Sequence, residues 1–239
     1  RFAVNRYRFP GVEIKARLFR QYPFGEVASH VLGYIGRIND KDVERIASWD
    51  ESANYKGSDY IGKVGVELSY ERELHGNTGV EEVEVDAAGR AVRTLSRSPP
   101  VSGNNLKLSL DIRLQEVAEA AFGDRRGALV AIDPATGDIL AFVSKPGYDP
   151  NLFVEGIDSA NWEFLNESPD KPLRNRPLRG AYPPGSTIKP FLALAALTSG
   201  KRTPQQSISD PGFFQLPGNA YRFRDDKPGG HGVVDMYRS

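Results

Sequence analysis

Residues 182–190 read Tyr-Pro-Pro-Gly-Ser-Thr-Ile-Lys-Pro and lead into an apolar segment over 191–197 that ends before Gly200. An apolar run that follows a proline-rich segment and is closed by glycine predicts a buried helix. Ser186 stands at the predicted start of this helix, and Lys189 lies one turn further along the same face. A serine hydroxyl becomes a nucleophile when an adjacent base takes its proton. The stretch therefore predicts Ser186 as a nucleophile and Lys189 as its general base.

The spacing Ser-x-x-Lys alone does not identify an active site. It occurs about once by chance in a chain of average composition, and a second copy is present at Ser168-Pro-Asp-Lys171. That copy lies between prolines with no predicted helix to align its side chains, so we set it aside. For Ser186 the alternative interpretation is a helix cap beside a solvated lysine. The residues alone leave both interpretations open.

Composition and charge bound the class of protein. The chain has 239 residues, enough for one or two domains, with 31 basic and 31 acidic residues. Each sign contributes 15 residues up to position 105 and 16 after it, so no charged tail supports bulk nucleic-acid binding. The absence of Cys excludes disulfides and cysteine metal sites within these residues. Because the sequence starts at Arg1 rather than Met, we expect an interior fragment of a longer protein.

A polar segment over 96–105 with two prolines is the clearest boundary in the chain. Before it, the patterns predict a helix over 41–49 capped by Asn39 and Asp40, a helix over 66–74 and a hairpin over 80–95. After it, alternating leucines predict a strand over 106–110, and Asp111 is placed to cap the next helix. Apolar strands follow over 128–132 and 139–143. A long proline- and asparagine-rich connection then covers 145–185, and such connections are usually functional.

Residues 182–190 resemble the active-site serine motif of class B penicillin-binding proteins, whose motif set includes Ser-x-x-Lys. The sequence Gly62-Lys-Val-Gly65-Val-Glu67, followed by Tyr70-Glu71, Leu74, Gly76 and Gly79, is similar to the signature of that family's non-catalytic pedestal domain. Asp133-Pro-Ala-Thr-Gly137 and Ser144-Lys-Pro-Gly-Tyr-Asp-Pro-Asn151 resemble the strand pair and loop that open its transpeptidase domain. The resemblance covers nearly the whole chain.

Four further stretches resemble the elongation-specific branch of the family, found in Gram-negative rods. They are Arg1-Phe-Ala-Val-Asn5, Arg8-Phe-Pro-Gly-Val12, Ile38-Asn-Asp-Lys-Asp-Val-Glu-Arg45 and Asp210-Pro-Gly212. The resemblance implies an α+β fold, with a partial pedestal, or dimerisation-type, domain over 1–105. The N-terminal part of a serine β-lactamase-like transpeptidase domain would follow over 106–239. With this match we favour the nucleophile interpretation of Ser186 over the helix cap.

The resemblance also implies an activity and a setting. Ser186 would attack a peptidoglycan stem peptide, and Lys189 would act as the base, with no cofactor required for catalysis. β-Lactams would acylate the same serine. The implied partners are stem peptides, β-lactams, and the elongation glycosyltransferase with other elongation-complex proteins bound through the pedestal, but no nucleic acid. The implied location is the periplasmic face of the inner membrane, anchored by an N-terminal transmembrane helix that this fragment lacks.

The family's two later motifs, Ser-x-Asn and Lys-(Ser/Thr)-Gly, should follow the nucleophile. Three Ser-x-Asn matches start at Ser52, Ser102 and Ser159, and we treat them as chance because all precede Ser186. No Lys-(Ser/Thr)-Gly occurs in the chain. The fragment therefore carries the nucleophile without the rest of the site, and we expect it to be inactive by itself.

A second constellation lies in a glycine-rich segment: Asp210, Asp225, Asp226 and His231. Carboxylates and imidazole bind zinc, but this spacing is not a strong zinc pattern, and a solvated loop is the alternative. Some members of the elongation branch hold a structural zinc with Asp, Asp, His and Cys. By position Asp210, Asp225 and His231 match the first three ligands, and the fourth would lie beyond Ser239. His30 and His75 have no clustered ligands, which indicates a surface or packing role.

Three other functions compete with the elongation transpeptidase. The septal transpeptidase shares the motif set but not the similarity at 1–12. A non-catalytic β-lactam sensor is expected to carry a bare penicilloyl-binding domain, and the Gly-Lys-Val-Gly pedestal argues against it. A scaffold module, in which the pedestal contacts partners, is the third alternative.

Overall fold

The computed structural model describes residues 5 and 8 and the ranges 18–87, 89 and 91–238. The chain divides into two compact units, Arg1–Gly180 and Ala181–Ser239. Apart from Asn5 and Arg8, the two N-terminal stretches that resemble the elongation branch lie outside the described residues. The predicted domain boundary at 105/106 falls inside the first unit. A division by spatial contacts need not coincide with the boundary between two domain families, so the boundary at 105/106 stays a prediction.

The first unit mixes short helices with antiparallel hairpins, as expected for an α+β chain. Its helices are α1 (Ser29–Leu32), α2 (Asp40–Ala47), α3 (Gly65–Ser69), α4 (Glu71–His75), α5 (Ile112–Phe122), α6 (Ser159–Glu167) and α7 (Arg176–Arg179). Its strands are β1 (Ile35–Arg37), β2 (Tyr60–Gly62), β3 (Val80–Val85), β4 (Ala91–Ser98), β5 (Gly127–Ile132) and β6 (Ile139–Lys145). The pairs are β1–β2, β3–β4 and β5–β6.

Helix α2 confirms the prediction from its capping residues. The Asn39 side chain accepts the Asp42 backbone N–H at 3.1 Å, and the Asp42 carboxylate accepts the Asn39 backbone N–H at 3.0 Å. This reciprocal pair satisfies two of the N–H groups that a helix start leaves unpaired. Ile46 on the inner face then packs with Tyr55 and Ile61 in a small core.

Two glycines let the backbone of β2, α3 and α1 meet. A Cβ on Gly62 would lie 1.9 Å from the Glu67 carbonyl oxygen. Gly65 has a φ of +65°, and a Cβ there would lie 2.5 Å from the Val31 carbonyl oxygen. At the two glycines of the Gly-Lys-Val-Gly signature, the backbone segments therefore lie too close together to leave room for a Cβ.

The single helix predicted over 66–74 is wrong, because α3 ends at Ser69 and α4 begins at Glu71. Tyr70 between them has φ −116° and ψ 26°, outside the helical region. On either side of this break, Glu67 and Glu71 are both buried. Glu67 accepts hydrogen bonds from the Tyr22 hydroxyl at 3.0 Å and pairs with Arg20 at 2.8 Å. Glu71 accepts the Gly62 N–H at 2.7 Å, and burial raises the pKa of its carboxyl.

The predicted hairpin forms as β3 and β4. Its register runs from Val80 opposite Ser98 to Val85 opposite Ala91, with irregularities after Glu82 and after Glu84. Glu81 and Glu82 accept hydrogen bonds across the strands from Thr94 and Ser96. All described β3 residues are exposed, so cross-strand pairs rather than a core hold this ribbon.

Helix α5 and the β5–β6 hairpin also confirm their predictions. Asp111 caps α5 by accepting the N–H of Arg113 at 2.9 Å and of Leu114 at 3.3 Å. Gln115 points from α5 into β6 and is fully buried. Its side-chain carbonyl accepts the Phe142 N–H at 2.7 Å, and its amide donates to the Phe142 carbonyl at 2.9 Å. One side chain thus ties the helix to the strand.

Replacing Gln115 by leucine should destabilise the first unit by about 2 kcal/mol or more, because a similar volume remains while two backbone groups lose their partner. Urea unfolding followed by tryptophan fluorescence checks this, since both tryptophans, Trp49 and Trp162, lie in that unit. Glu116→Leu, on the exposed side of the same helix, is the control and should change stability little. Equal unfolding midpoints for the two variants would contradict the assignment.

The second unit contains α8 (Lys189–Thr198), preceded by a 3₁₀ turn over Gly185–Ile188. Four three-residue strands follow: β7 (Ile208–Asp210), β8 (Phe213–Gln215), β9 (Arg222–Arg224) and β10 (Gly232–Val234). Strand β7 pairs with β10, and β8 pairs with β9, both antiparallel. Among the described residues no helix is long and apolar enough to cross a membrane.

Two further predictions are wrong. Residues 106–110 form no strand, although their three leucines are half-buried; the backbone is held instead at its end, where Asp111 N–H donates to the Leu140 carbonyl at 2.9 Å. The alternation of leucines therefore reflects the burial of one side of this segment, although its backbone pairs with no strand among the described residues. The helix over 191–197 forms but is not buried: Phe191 is 68% exposed and Leu192 and Leu194 are each 60% exposed. Within the described part of the second unit, these side chains remain largely uncovered.

Candidate active site

Ser186 lies in the 3₁₀ turn that leads into α8, three residues before the first helical residue, Lys189. Gly185 begins the turn with a φ of +56°, which favours glycine. The Thr187 hydroxyl and its N–H both donate to the Pro184 carbonyl, and the Lys189 N–H donates to the Ser186 carbonyl. These bonds fix the conformation of the turn around the serine. Pro-Pro-Gly-Ser-Thr-Ile is therefore a hydrogen-bonded turn at the N-terminus of α8.

The structure places Ser186 and Lys189 one 3₁₀ turn apart, where side chains three residues apart share a side. Both residues are exposed, and among the described residues no hydrogen bond joins their side chains. The described chain therefore places the pair on one turn and leaves both side chains open to solvent.

The other Ser-x-x-Lys copy is a chain turn. Ser168 ends α6, and its hydroxyl accepts the Asp170 N–H at 3.2 Å. Lys171 has a φ of +43°, and its ammonium donates to the Asn166 carbonyl at 3.2 Å. No helix begins at this lysine, so the structure gives no reason to treat Ser168 as a nucleophile.

The strand pairs of the second unit bring together the three predicted metal ligands. Asp210 ends β7, Asp225 follows β9, and His231 precedes β10. One ligand atom of each lies within 4.8 Å of the others. His231 Nδ1 lies 3.2 Å from an Asp210 oxygen and 3.1 Å from an Asp225 oxygen. Asp226 is outside this group, and its backbone N–H donates to Asp225.

Hydrogen bonds set the charge of this trio. Backbone N–H groups of Gly212 and His231, each at 2.8 Å, lower the pKa of Asp210 to about 2. The two carboxylates raise the pKa of His231, with Asp210 the larger cause. A metal ligand must be deprotonated, so a cation here would take the place of the proton on Nδ1. Two carboxylates and one imidazole converging on one point are a donor set that fits zinc with a fourth ligand.

Two contacts join residues 22–30 to residues 151–172, and no sequence pattern predicted them. His30 is buried as expected for a packing residue, but its Nε2 lies 2.8 Å from the Pro172 carbonyl, 142 positions away. The Asn151 side chain accepts the Tyr22 backbone N–H and donates to the Tyr22 carbonyl, both at 2.9 Å. No local pattern signals such long-range pairs.

Comparison with family models agrees with this arrangement. Residues 1–108 match the penicillin-binding protein dimerisation domain, and residues 127–237 match the penicillin-binding protein transpeptidase domain. The elements that position Ser186 thus fall in the second match, and the Gly-Lys-Val-Gly segment falls in the first.

Curated relatives match over the full chain. The chain is 50% identical over 239 residues to the peptidoglycan D,D-transpeptidase MrdA of Escherichia coli K12, and 49% identical to MrdA of Acinetobacter baumannii. It spans 38% of the length of the former and 35% of the latter.

Solved structures show the same relationship. PBP2 of Pseudomonas aeruginosa, in complex with WCK 5153, matches with a TM-score of 0.76 and 46% identity over 92% of this chain and 44% of that one. PBP2 of Helicobacter pylori, in complex with MreC, matches with a TM-score of 0.76 and 36% identity over 92% of this chain and 39% of that one. The predicted α+β arrangement, a dimerisation segment followed by the start of a transpeptidase segment, is confirmed. The chain belongs to the penicillin-binding proteins and is similar to their PBP2 members.

Proposed function

We propose that this chain is the pedestal and nucleophile-bearing part of a longer peptidoglycan D,D-transpeptidase that cross-links stem peptides during cell elongation. The observation that carries the proposal is the locked turn that holds Ser186 before α8, with Lys189 at the first helical position. The 50% identity to an E. coli D,D-transpeptidase over all 239 residues supports it. The names of these relatives favour a transpeptidase over the sensor and scaffold alternatives.

In the proposed reaction, Ser186 Oγ attacks the carbonyl of the penultimate D-Ala of a donor stem. Lys189 takes the hydroxyl proton and passes it to the nitrogen of the terminal D-Ala, which leaves. An amine of a neighbouring stem then attacks the acyl-enzyme ester; Lys189 takes the amine proton and returns it to Ser186 Oγ, which leaves as the hydroxyl. A β-lactam would acylate Ser186 in the same way, with its leaving nitrogen still tethered to the acyl group.

The direct test measures release of D-Ala from a pentapeptide stem donor by the longer protein, with and without an amine acceptor. We expect one D-Ala released per cross-link formed. Cross-linking that proceeds without D-Ala release would contradict the donor chemistry, and release without any transfer to the acceptor would indicate a carboxypeptidase.

The partners and location of the longer protein are also proposals. We place it on the periplasmic face of the inner membrane, held by an N-terminal transmembrane helix. Its pedestal would contact the elongation glycosyltransferase and other proteins of the elongation complex. The H. pylori PBP2 that matches this chain was solved in complex with MreC, which supports a protein partner for the longer protein.

We also propose a structural zinc held by Asp210, Asp225 and His231, with a fourth ligand outside the trio. Zinc would hold β7, β9 and β10 together, and its binding energy would contribute to folding. It would supply no catalytic chemistry, since Ser186 and Lys189 carry the reaction.

Asp225→Asn should remove stoichiometric zinc from the purified longer protein and lower its melting temperature, because a neutral amide is a poorer ligand than a carboxylate. Metal analysis and melting with and without a chelator check this. Asp226→Asn is the matched control and should keep the zinc, since that side chain is not in the trio. Wild-type protein with no zinc, or with the same melting temperature in chelator, would remove the claim.

A further inference from the structure

The β8–β9 hairpin of the second unit has two faces of different chemistry. Its register pairs Phe213 with Arg224, Phe214 with Phe223 and Gln215 with Arg222. Side chains alternate between the faces of a ribbon, and residues directly opposite each other share a face. One face therefore carries the two arginines of β9 beside Phe213, and the other face carries Phe214 and Phe223.

An aromatic ring holds one of these arginines in place. The guanidinium carbon of Arg222 lies 4.5 Å from the centroid of the Phe213 ring, which is a cation–π contact. A guanidinium held over a ring keeps N–H groups at its planar edge, where they can donate to a ligand. Arg222 and Arg224 are both exposed, and Arg224 is the direct cross-strand partner of Phe213. The two cations thus flank one ring.

This pair of cations lacks an acidic partner. Among the described residues, no ion pair or side-chain hydrogen bond joins Arg222 or Arg224 to a carboxylate. The adjacent Asp225 turns instead to His231, whose Nδ1 lies 3.1 Å from a carboxylate oxygen. From 181 to 239 the sequence has seven lysines and arginines against four aspartates and no glutamate. Like charges on one face of a ribbon repel each other, so this face favours a bound anion.

A peptide carboxylate fits this face better than a membrane surface does. Guanidiniums bind carboxylates through paired, charge-assisted hydrogen bonds. An anionic membrane is recognised by clusters of about four to eight basic residues, and this face has two. Gln215 lies on the same face, and its amide nitrogen donates to the Asn219 carbonyl at 2.7 Å. Its amide oxygen is left to accept a peptide N–H beside the carboxylate.

We propose that Arg222 and Arg224 form a docking site for the terminal carboxylate of one stem peptide on a peptidoglycan strand, while another stem of that strand reacts at Ser186. The inference rests on the proposed function, because it names a second binding site for the same substrate. A strand carries many stems, so a stem held at the hairpin raises the effective concentration of the others at the nucleophile. Long strands should therefore bind more tightly than single stems.

The test measures binding of soluble, uncross-linked peptidoglycan strands to the longer protein carrying Ser186→Ala, which prevents turnover. Replacing both Arg222 and Arg224 by glutamine should raise the dissociation constant about fivefold or more, because two charged hydrogen-bond donors are lost. Phe213→Leu, which removes the ring beside Arg222, should weaken binding in the same direction. Strands whose carboxylates have been converted to amides should bind about as weakly to the protein with both arginines intact.

The matched control replaces Lys201 and Lys227 by glutamine, because both lysines are exposed in the same unit and the change in charge is identical. Its dissociation constant should stay within about twofold of the parent value. An equal loss in this control, or no loss in the arginine variant, would overturn the inference. Arginine-dependent binding to phosphatidylglycerol vesicles in place of strands would also overturn it. Wild-type protein that takes no penicillin label at Ser186 would instead reject the proposed function.

Discussion

Covalent labelling of the longer protein by a fluorescent penicillin is expected to fall to background when Ser186 is replaced by alanine. The hydroxyl is the atom that would form the ester, and no other described serine stands in a locked turn before a helix that begins with lysine. Gel fluorescence and intact-mass spectrometry measure the outcome. The melting temperature should stay close to wild type, because Ser186 is exposed and its hydroxyl bonds to no other side chain among the described residues.

Ser168→Ala is the control for this experiment, since Ser168 belongs to the other Ser-x-x-Lys copy and lies at the end of α6. That variant should label like the wild type. A stoichiometric adduct that persists in Ser186→Ala would show that the nucleophile has been assigned to the wrong residue.

Acylation is also expected to collapse when Lys189 is replaced by alanine, with the fold nearly intact. A positioned general base contributes about 10²–10⁴ in rate, equal to about 3–5.5 kcal/mol of barrier at about 1.4 kcal/mol per factor of ten. Stopped-flow acylation rates measure the loss. An arginine at this position should not restore the rate, because a guanidinium does not give up its proton.

Lys171→Ala provides the comparison, because that lysine donates to a backbone carbonyl and touches no proposed catalytic group. Its acylation rate should match wild type. A rate within threefold of wild type for Lys189→Ala would exclude Lys189 as the base.

The parts of the fold that sequence predicts well are those set by neighbours along the chain. Helix α2 follows from Asn39 and Asp42, which satisfy each other's backbone groups within four residues. Helix α5 follows from Asp111, and the β5–β6 hairpin follows from the turn-forming run at 133–137. In each case the interaction that stabilises the element is local.

The parts that sequence misjudges depend on distant residues. Alternation at 106–110 cannot show whether another strand pairs with the segment, and among the described residues none does. An apolar run at 191–197 indicates a helix, but its burial depends on what packs against it. The contact between His30 and Pro172 spans 142 positions, so no window along the chain contains it.

The candidate sites divide in the same way. Ser186 and Lys189 lie three residues apart, so the sequence could place them on one turn, and the structure does. Asp210, Asp225 and His231 converge because β7 pairs with β10 and β8 pairs with β9. Their spacing alone did not distinguish a metal site from a solvated loop. Only the resemblance to a zinc-holding branch of the family singled out these three residues.

The backbone contact at Gly62 and Gly65 has a consequence for how this chain tolerates change over evolution. A side chain at either position would collide with a carbonyl oxygen of another segment, and backbone cannot move aside as a flexible side chain can. Gly57 and Gly89 also have positive φ, but a Cβ there would meet nothing within 4 Å. Asparagine, which accepts the left-handed region, could therefore replace either of them at little cost. Descendants of this sequence should therefore accept substitutions at Gly57 and Gly89 and keep glycine at positions 62 and 65.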